Sequence, residues 1–319
     1  MKPLPRSSGD ILADRRADYA EMLFGNGEAA AAAELMMGAM ELAPGWALGW
    51  FRLGEFHEAA GAVAQAIEAW RMTLRLDPDD RAGAALKLSL AGATRAPEAP
   101  PSAFVEALFD QYAPTFDTSL VDKLGYRVPD LMLGAIRVQG DRRFGAALDL
   151  GCGTGLMGER LRPLVETLSG CDISAEMLKK AQAKGVYDRL IKTDLQAPAL
   201  PLDRVDLVTA ADVFMYVGKL DQTFDAIADA LEAGGLFAFS VEAHDGEEDY
   251  VLRASRRYAH SEGYIDGLLD ARGLTLLSLS REVIRQDRHE PVEGLIVVAG
   301  KEPDPVLFHF LLGTASAPR

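Results

Sequence analysis

Cysteine is nearly missing from this chain: Cys152 and Cys171 are the two in 319 residues. Two thiols make neither a disulfide framework nor a structural zinc site, and both read as small buried residues in a reducing compartment. Basic residues are also in deficit. Lys and Arg number 33 against 48 Asp and Glu, a formal net charge of −15, and no dense Lys/Arg run offsets it. Such a surface repels a phosphate backbone, which argues against nucleic acid as substrate or partner. No stretch approaches about eighteen uninterrupted apolar residues. The opening Met-Lys-Pro-Leu-Pro-Arg leads into charged helical sequence and not into an apolar core with a cleavage site, so no membrane partner and a cytoplasmic location are expected. The five histidines, at 57, 244, 260, 289 and 309, are scattered without ligand spacing, and no metal is expected.

What is present divides by composition. Residues 10 to 92 are rich in alanine, poor in β-branched residues and helical in period, whereas Ala-Pro-Glu-Ala-Pro-Pro at 96 to 101 is a stiff, extended linker signal. The expected division is 1–95 for helical repeats, 96–140 for linker and lid helices, 141–301 for a second domain and 302–319 for a C-terminal tail. Gly27 and Gly61, Ala32 and Ala66, and Pro44 and Pro78 are each 34 residues apart, a period that signals stacked helical hairpins. Trp50, Leu53, Gly54, Gly61, Ala66, Trp70 and Pro78 resemble the tetratricopeptide pattern. In it small residues let two helices approach, bulky ones fill the gap, and proline stops the second helix. The first copy departs from the pattern, with Tyr19 and Ala20 where Leu and Gly would stand; a generic Ala-rich hairpin is the alternative. Two repeats bury little core, so a cap is expected, from helix in 80 to 92 or from the second domain.

Beyond the linker, residues 102 to 137 read as helical with an aromatic face of Phe104, Leu108, Phe109, Tyr112 and Phe116. Short apolar runs then alternate with amphipathic stretches. Strands are expected near 145–150, 166–171, 189–193, 205–210, 235–241, 274–283 and 293–299, with helices at about 155–163, 174–183, 220–232 and 258–272. That alternation argues for an α/β domain with a mostly parallel sheet covered on both faces. Ligands of such sheets sit at the carboxyl ends of the strands.

Residues 148 to 155 read Leu-Asp-Leu-Gly-Cys-Gly-Thr-Gly. An apolar strand breaks into three glycines spaced two apart, and a turn so bare lets a ligand lie against the backbone before the next helix. A dinucleotide fingerprint needs G-x-G-x-x-G, and Leu156 stands where its third glycine belongs. With Asp149 two residues before Gly151, the stretch resembles the first motif of class I S-adenosylmethionine-dependent methyltransferases. Further stations follow in order: Gly170-Cys171-Asp172-Ile173-Ser174, Thr193-Asp194-Leu195, and Ala210-Ala211-Asp212 before Val213-Phe214-Met215-Tyr216. The resemblance covers about residues 104 to 300. It implies a Rossmann-like seven-stranded sheet with an antiparallel last strand, preceded here by an all-α tetratricopeptide-type repeat domain.

S-adenosylmethionine is the cofactor so implied. The resemblance gives it Gly151, Cys152, Gly153 and Gly155 as the turn, and Asp149 facing the methionine end. It places Asp172 on the ribose hydroxyls, Ile173 and Met177 beside adenine, Asp194 with Leu195 at the adenine amino group, and Ala211 and Asp212 at the methionine part. The segment Phe109 to Asp117 with Tyr126-Arg127-Val128-Pro129 resembles a bacterial group of methyltransferases that carry tetratricopeptide repeats. There Tyr112 would cover the cofactor and Arg127 would pair with its carboxylate; a core aromatic and a surface arginine are the plain alternatives. Should a base be used, His260 is the candidate, with Tyr216 the other candidate catalytic residue at the substrate mouth. Glu242 and His244 lie just beyond a strand end and could also face substrate. Arg285, Arg288 and His289 with Pro291 form a polar connection between the last two strands, which could receive an acidic substrate or be a hairpin loop with salt bridges. Ala211-Asp212-Val213-Phe214 lacks the prolines of the amino-methylating N/D-P-P-Y/F element. Two functions stay open: a methyltransferase acting on a small molecule or protein, its repeats aiding substrate or partner recognition, and a non-catalytic cofactor-binding scaffold.

Overall fold

The computed structural model describes residues 4–118, 120, 124–197, 203–287 and 289–303. The chain forms two compact units, Met1–Leu108 with Leu252–Arg256, and Phe109–Val251 with Arg257–Arg319. The tail expected from 302 lies, from 304 onward, outside the described residues.

The first unit is built from α1 (Ile11–Gly25), α2 (Ala29–Leu42), α3 (Ala47–Ala59), α4 (Val63–Leu76) and α5 (Ala84–Leu90), each packed on the next. Asp10 starts α1 by accepting the amides of Leu12 and Ala13. Gly27 and Gly61 take positive φ in the α1–α2 and α3–α4 turns, and Ala32 and Ala66 are wholly buried at equivalent helical positions. The repeated residues therefore mark two successive helical hairpins, with α5 closing against α4. Trp70 fills the second hairpin, its indole N–H directed at the Phe51 carbonyl at 3.3 Å. A Cβ on Gly54 would overlap that indole ring. Gly54→Ala gains helix propensity but overpacks the core, and a net loss of about 1–2 kcal/mol is expected in urea melts; an equally stable variant would show that the indole can move aside. The segment 252–256 completes this unit: Arg256, at φ +62°, donates to the Ala82 carbonyl at 3.0 Å and lies 4.9 Å from the Phe104 ring centre.

The second unit carries β1 (Phe144–Leu150), β2 (Val165–Asp172), β3 (Arg189–Lys192), β4 (Val205–Ala210), β5 (Leu231–His244), β6 (Tyr250–Leu252), β7 (Tyr258–Ser261), β8 (Leu274–Asp287) and β9 (Glu290–Lys301). Strands β3-β2-β1-β4-β5 are parallel, β9 runs antiparallel beside β5, and β8 pairs β9. This is the mixed α/β sheet expected, but it has nine strands among the described residues and not seven. The two extra ones, β6 and β7, extend the far end of β5, where Glu242 to His244 pair Ala259 to Ser261. The expected helix at 258–272 is corrected accordingly. Tyr258, Ala259 and His260 are buried strand residues, and the helix α11 (Glu262–Asp270) begins only where Ser261 caps it through the Tyr264 amide.

Helices cover both faces. On one, α10 (Asp221–Ala230) and α11 pack over Phe214, Phe237 and Phe239; on the other, α7 (Val128–Val138) and α8 (Leu156–Leu161) set Val128, Met132, Ile136 and Met157 against Ala147 and Leu168. Alternation along β1 sends Ala147 to one layer and Leu148 to the other, as a strand buried on both faces requires. The lid stretch is α6 (Ser102–Tyr112) and α7 with a short helical turn at 116–117 between them, not continuous helix.

Candidate functional site

The carboxyl ends of β1, β2 and β4 lie side by side, with Asp149 paired in register to Gly170 and Thr209. After β1 the chain turns through Gly151, Gly153 and Gly155 at φ +59°, +53° and +94°, a backbone that L side chains resist. At Gly151 a Cβ would also sit 2.5 Å from Val213 Cγ2. The turn is tied to β2 twice: the Cys152 amide donates to the Cys171 carbonyl at 2.9 Å, and the Gly153 amide to Asp172 Oδ2 at 2.9 Å.

Asp172 ends β2, and its Oδ1 accepts the Ser174 amide at 2.8 Å. Each of its oxygens keeps a lone pair beyond these bonds. Asp149 is buried behind the turn, with Oδ2 accepting from the Tyr187 hydroxyl at 2.7 Å and Oδ1 from the Thr209 hydroxyl at 2.8 Å. Burial pushes both carboxyls up to about 6, against the lowering effect of their donors. Since these folded values exceed 3.8, each carboxylate penalises the folded state at neutral pH. That penalty is complete above about 6 and is relieved as pH falls toward 4. A site that keeps such groups gives up stability for their charge.

A segment following α6 roofs the turn. Phe116 Cε1 lies 3.9 Å from where a Gly153 Cβ would be, Asp117 accepts from the Thr154 hydroxyl, and Asp110 accepts from the Ser174 hydroxyl at 2.6 Å. Phe109 packs edge-on against Phe116 and Tyr216, with centroids at 6.2 and 5.1 Å. Tyr112, expected to be the cover, is instead 50% exposed at the end of α6. It is the last residue of α6, and Phe116, beyond the end of that helix, stands over the turn. Arg127 is likewise exposed: it caps α7 and gives its amide to the Ile284 carbonyl.

Of the adenine candidates, Ile173 is half-buried at the strand end and Met177 is wholly buried in α9 (Ala175–Lys184). Asp194 accepts the Gln196 amide at 2.9 Å, and the Leu195 carbonyl accepts from Thr223. Beyond β4, half-buried Ala211 leads into Asp212 at φ +60°, whose amide donates to the Ser240 hydroxyl at 2.8 Å.

The largest departure is Arg285. It lies within β8, not in a hairpin loop, and is 2% exposed; Arg288 lies outside the described residues. Nη1 of Arg285 donates to both oxygens of Asp212 at 2.7 Å, and Nη2 donates to Glu242. Arg257 continues the chain of charges from Glu242, at 3.1 Å, to Asp287. Strong pairing outweighs burial and holds the Arg285 guanidinium above its ordinary range. The arginine that could have met an acidic substrate is therefore engaged by the protein's own carboxylates. His244 pairs with Glu248.

His260 is also corrected. It is 0% exposed, and its Nε2 is 3.0 and 2.9 Å from the carbonyls of Val217 and Gly218, so that nitrogen carries the proton. Burial lowers its pKa to about 4. A neutral imidazole buried in β7 braces the chain after Tyr216. Burial raises the Tyr216 phenol above its ordinary range, so it keeps its proton, and its oxygen accepts a hydrogen bond from Arg257.

The model of the Methyltransferase domain family matches residues 148–239, from β1 through β5. Methyltransferase-like protein 27 of Homo sapiens is 38% identical over 171 residues, 50% of this chain and 68% of that protein. The chain belongs to the S-adenosylmethionine-dependent methyltransferases. Trans-aconitate 2-methyltransferase of Rhizobium rhizogenes is 34% identical to this methyltransferase over 112 residues, 34% of the chain and 43% of that protein. The chain spans about half the length of the curated relatives it matches, 53% and 43% for two of them. Among solved structures, the [4+2]-cyclase SpnF superposes with a TM-score of 0.52 at 18% identity, over 65% of this chain and 98% of that one, a likeness of fold. Among the described residues no helix is long and apolar enough to cross a membrane, and no group of His, Cys, Asp or Glu could hold a metal.

Proposed function

We propose that the methyltransferase binds S-adenosylmethionine at the β1–β2–β4 edge and transfers its methyl group to a small-molecule or protein acceptor. One observation carries the reading: Asp172 is fixed beside the left-handed glycine turn by the Gly153 and Ser174 amides, with lone pairs left to receive a ribose diol. The donor set suits the ligand. Carboxylates at Asp149, Asp172 and Asp194 match a molecule whose hydroxyls and amino group donate and whose sulfonium and ammonium are cationic. Gly151, Cys152, Gly153 and Gly155 would give it bare backbone, Ile173 and Met177 an apolar flank, Leu195 and Ala211 side walls, and Phe116 a roof.

When bound, the cofactor supplies an activated methyl group, so the protein's task is to orient an acceptor in line, exclude water and place a proton. Phe109, Phe116 and Tyr216 would keep water out, with Tyr216 donating a hydrogen bond at the acceptor side. An acidic acceptor, such as the one after which the Rhizobium relative is named, would have to compete for Arg285 with Asp212 and Glu242. The two N-terminal hairpins, with buried Ala32, Ala66 and Trp70 at a 34-residue spacing, support a tetratricopeptide-type reading in which their exposed face takes a protein partner or part of the acceptor. The net charge of −15 supports an acceptor other than nucleic acid. The competing reading is a cofactor-binding scaffold without turnover, which the fold alone permits.

Isothermal titration with S-adenosylmethionine and its demethylated product tests the first step, and labelled methyl transfer into cell-extract fractions the second. Micromolar binding with label incorporated supports the enzyme. Binding without incorporation favours the scaffold, and no binding to folded protein removes both.

A further inference from the structure

Two glycines near the site, Gly158 and Gly170, are not explained by a ligand, and Gly155 of the turn faces the same neighbour as they do. Gly158 lies inside α8 and Gly170 inside β2, where glycine weakens its element, and Gly155 precedes α8. One side chain accounts for all three. A Cβ on Gly158 would overlap the Tyr187 hydroxyl, on Gly170 it would lie 2.8 Å from Tyr187 Cε1, and on Gly155 3.1 Å from Cε2. The Tyr187 ring, arriving from the connection between α9 and β3, thus occupies a slot that exists because these positions lack side chains. At its far end the hydroxyl reaches Asp149 Oδ2 at 2.7 Å.

We infer that Tyr187 is a positioning residue of the cofactor site: it holds the Asp149 carboxylate oriented and ionised behind the glycine turn. This rests on the reading of that turn as the S-adenosylmethionine site. The groups facing Asp149 are few. Tyr187 and Thr209 donate to it, Asp172 at the end of β2 repels its charge, and Cys152 of the turn, Cys171 of β2 and Tyr126 ahead of α7 lie within electrostatic reach. Burial holds the Tyr187 phenol far above its ordinary range, so it stays a donor throughout the working pH. Even with both donors Asp149 titrates near 6; without one it must titrate higher. Asp172 has its own amide partners, none of them Tyr187, so Tyr187→Phe reaches it only through the charge of Asp149.

The test is calorimetric titration of the full chain with S-adenosylmethionine between pH 5.5 and 8.5, for the wild type and Tyr187→Phe, which keeps the ring in its slot. Wild-type affinity is expected to fall as pH drops through about 6. In the variant the midpoint should move up by about one unit, with the affinity gap narrowing at alkaline pH. A wild type that binds, with a variant of unmoved midpoint, overturns this inference alone, whether affinity is unchanged or lower by one factor at every pH. A folded wild type that binds at no pH overturns the site as well.

Discussion

Replacing Arg285 with methionine is expected to cost about 3–5 kcal/mol of stability, because it takes from the buried Asp212 carboxylate the guanidinium that holds both its oxygens and leaves Glu242 to Arg257. Asp212 and Glu242 come from the ends of different strands, and the side chains of both are less than a tenth exposed. Neither can turn to water without moving its strand. Asp212 adds backbone strain, since its left-handed φ persists while Arg285 and Ser240 hold it on both sides. At about 2–4 °C per kcal/mol the melting temperature should fall on the order of 10 °C. Arg285→Lys keeps the charge but cannot divide one planar fork between two carboxylates, so it should recover part of the loss. Thermal melts of the three proteins decide the matter: a methionine variant within about 1 kcal/mol of wild type would mean that these carboxylates find other partners.

Asp172→Ala should weaken S-adenosylmethionine binding by about 1–3 kcal/mol, roughly 5- to 150-fold, the loss expected for charge-assisted hydrogen bonds to a diol. The measurement belongs at pH 8, where a carboxyl titrating near 6 is ionised in the wild type. Alanine also frees the Gly153 amide, so the turn loses a tie to β2 along with its acceptor. Circular dichroism separates that from unfolding. Affinity within twofold of wild type, in a folded variant, would take the ribose role away from Asp172.

Features that are local in the chain were legible in it. Strand β1 and its glycine turn follow from an apolar run broken by residues that tolerate positive φ, and the acids at 149, 172, 194 and 212 stand at strand ends because each run stops there. The 34-residue spacing likewise marks two hairpins that the structure contains. What depends on approach through space was not legible. Nothing near Tyr187 announces that three glycines from α8, β2 and the turn before α8 make room for it. Arg285 sits among polar neighbours that read as a loop, yet β8 runs on past them and carries its side chain under Asp212. His260 followed two arginines and a tyrosine and read as a helix start; pairing with the end of β5 made a strand of it. Tyr112 and Phe116 read as one helical face, but α6 ends at Tyr112 and the chain turns before Phe116, a break that the aromatic spacing did not show.

The segment Leu252–Arg256 belongs to the helical unit although the chain reaches it only after β5 of the other. Roughly 150 residues separate it from Leu108, an interval on the order of 10–30 s at a synthesis rate of about 5–20 residues per second. Until that stretch emerges, a nascent helical unit lacks the arginine that spans Ala82 and Phe104, and the ring of Phe104 waits without its cation. The units are thus nested in the sequence and not strung along it. No single stretch of the sequence holds either one whole, and a chain stopped anywhere before residue 252 leaves both unfinished.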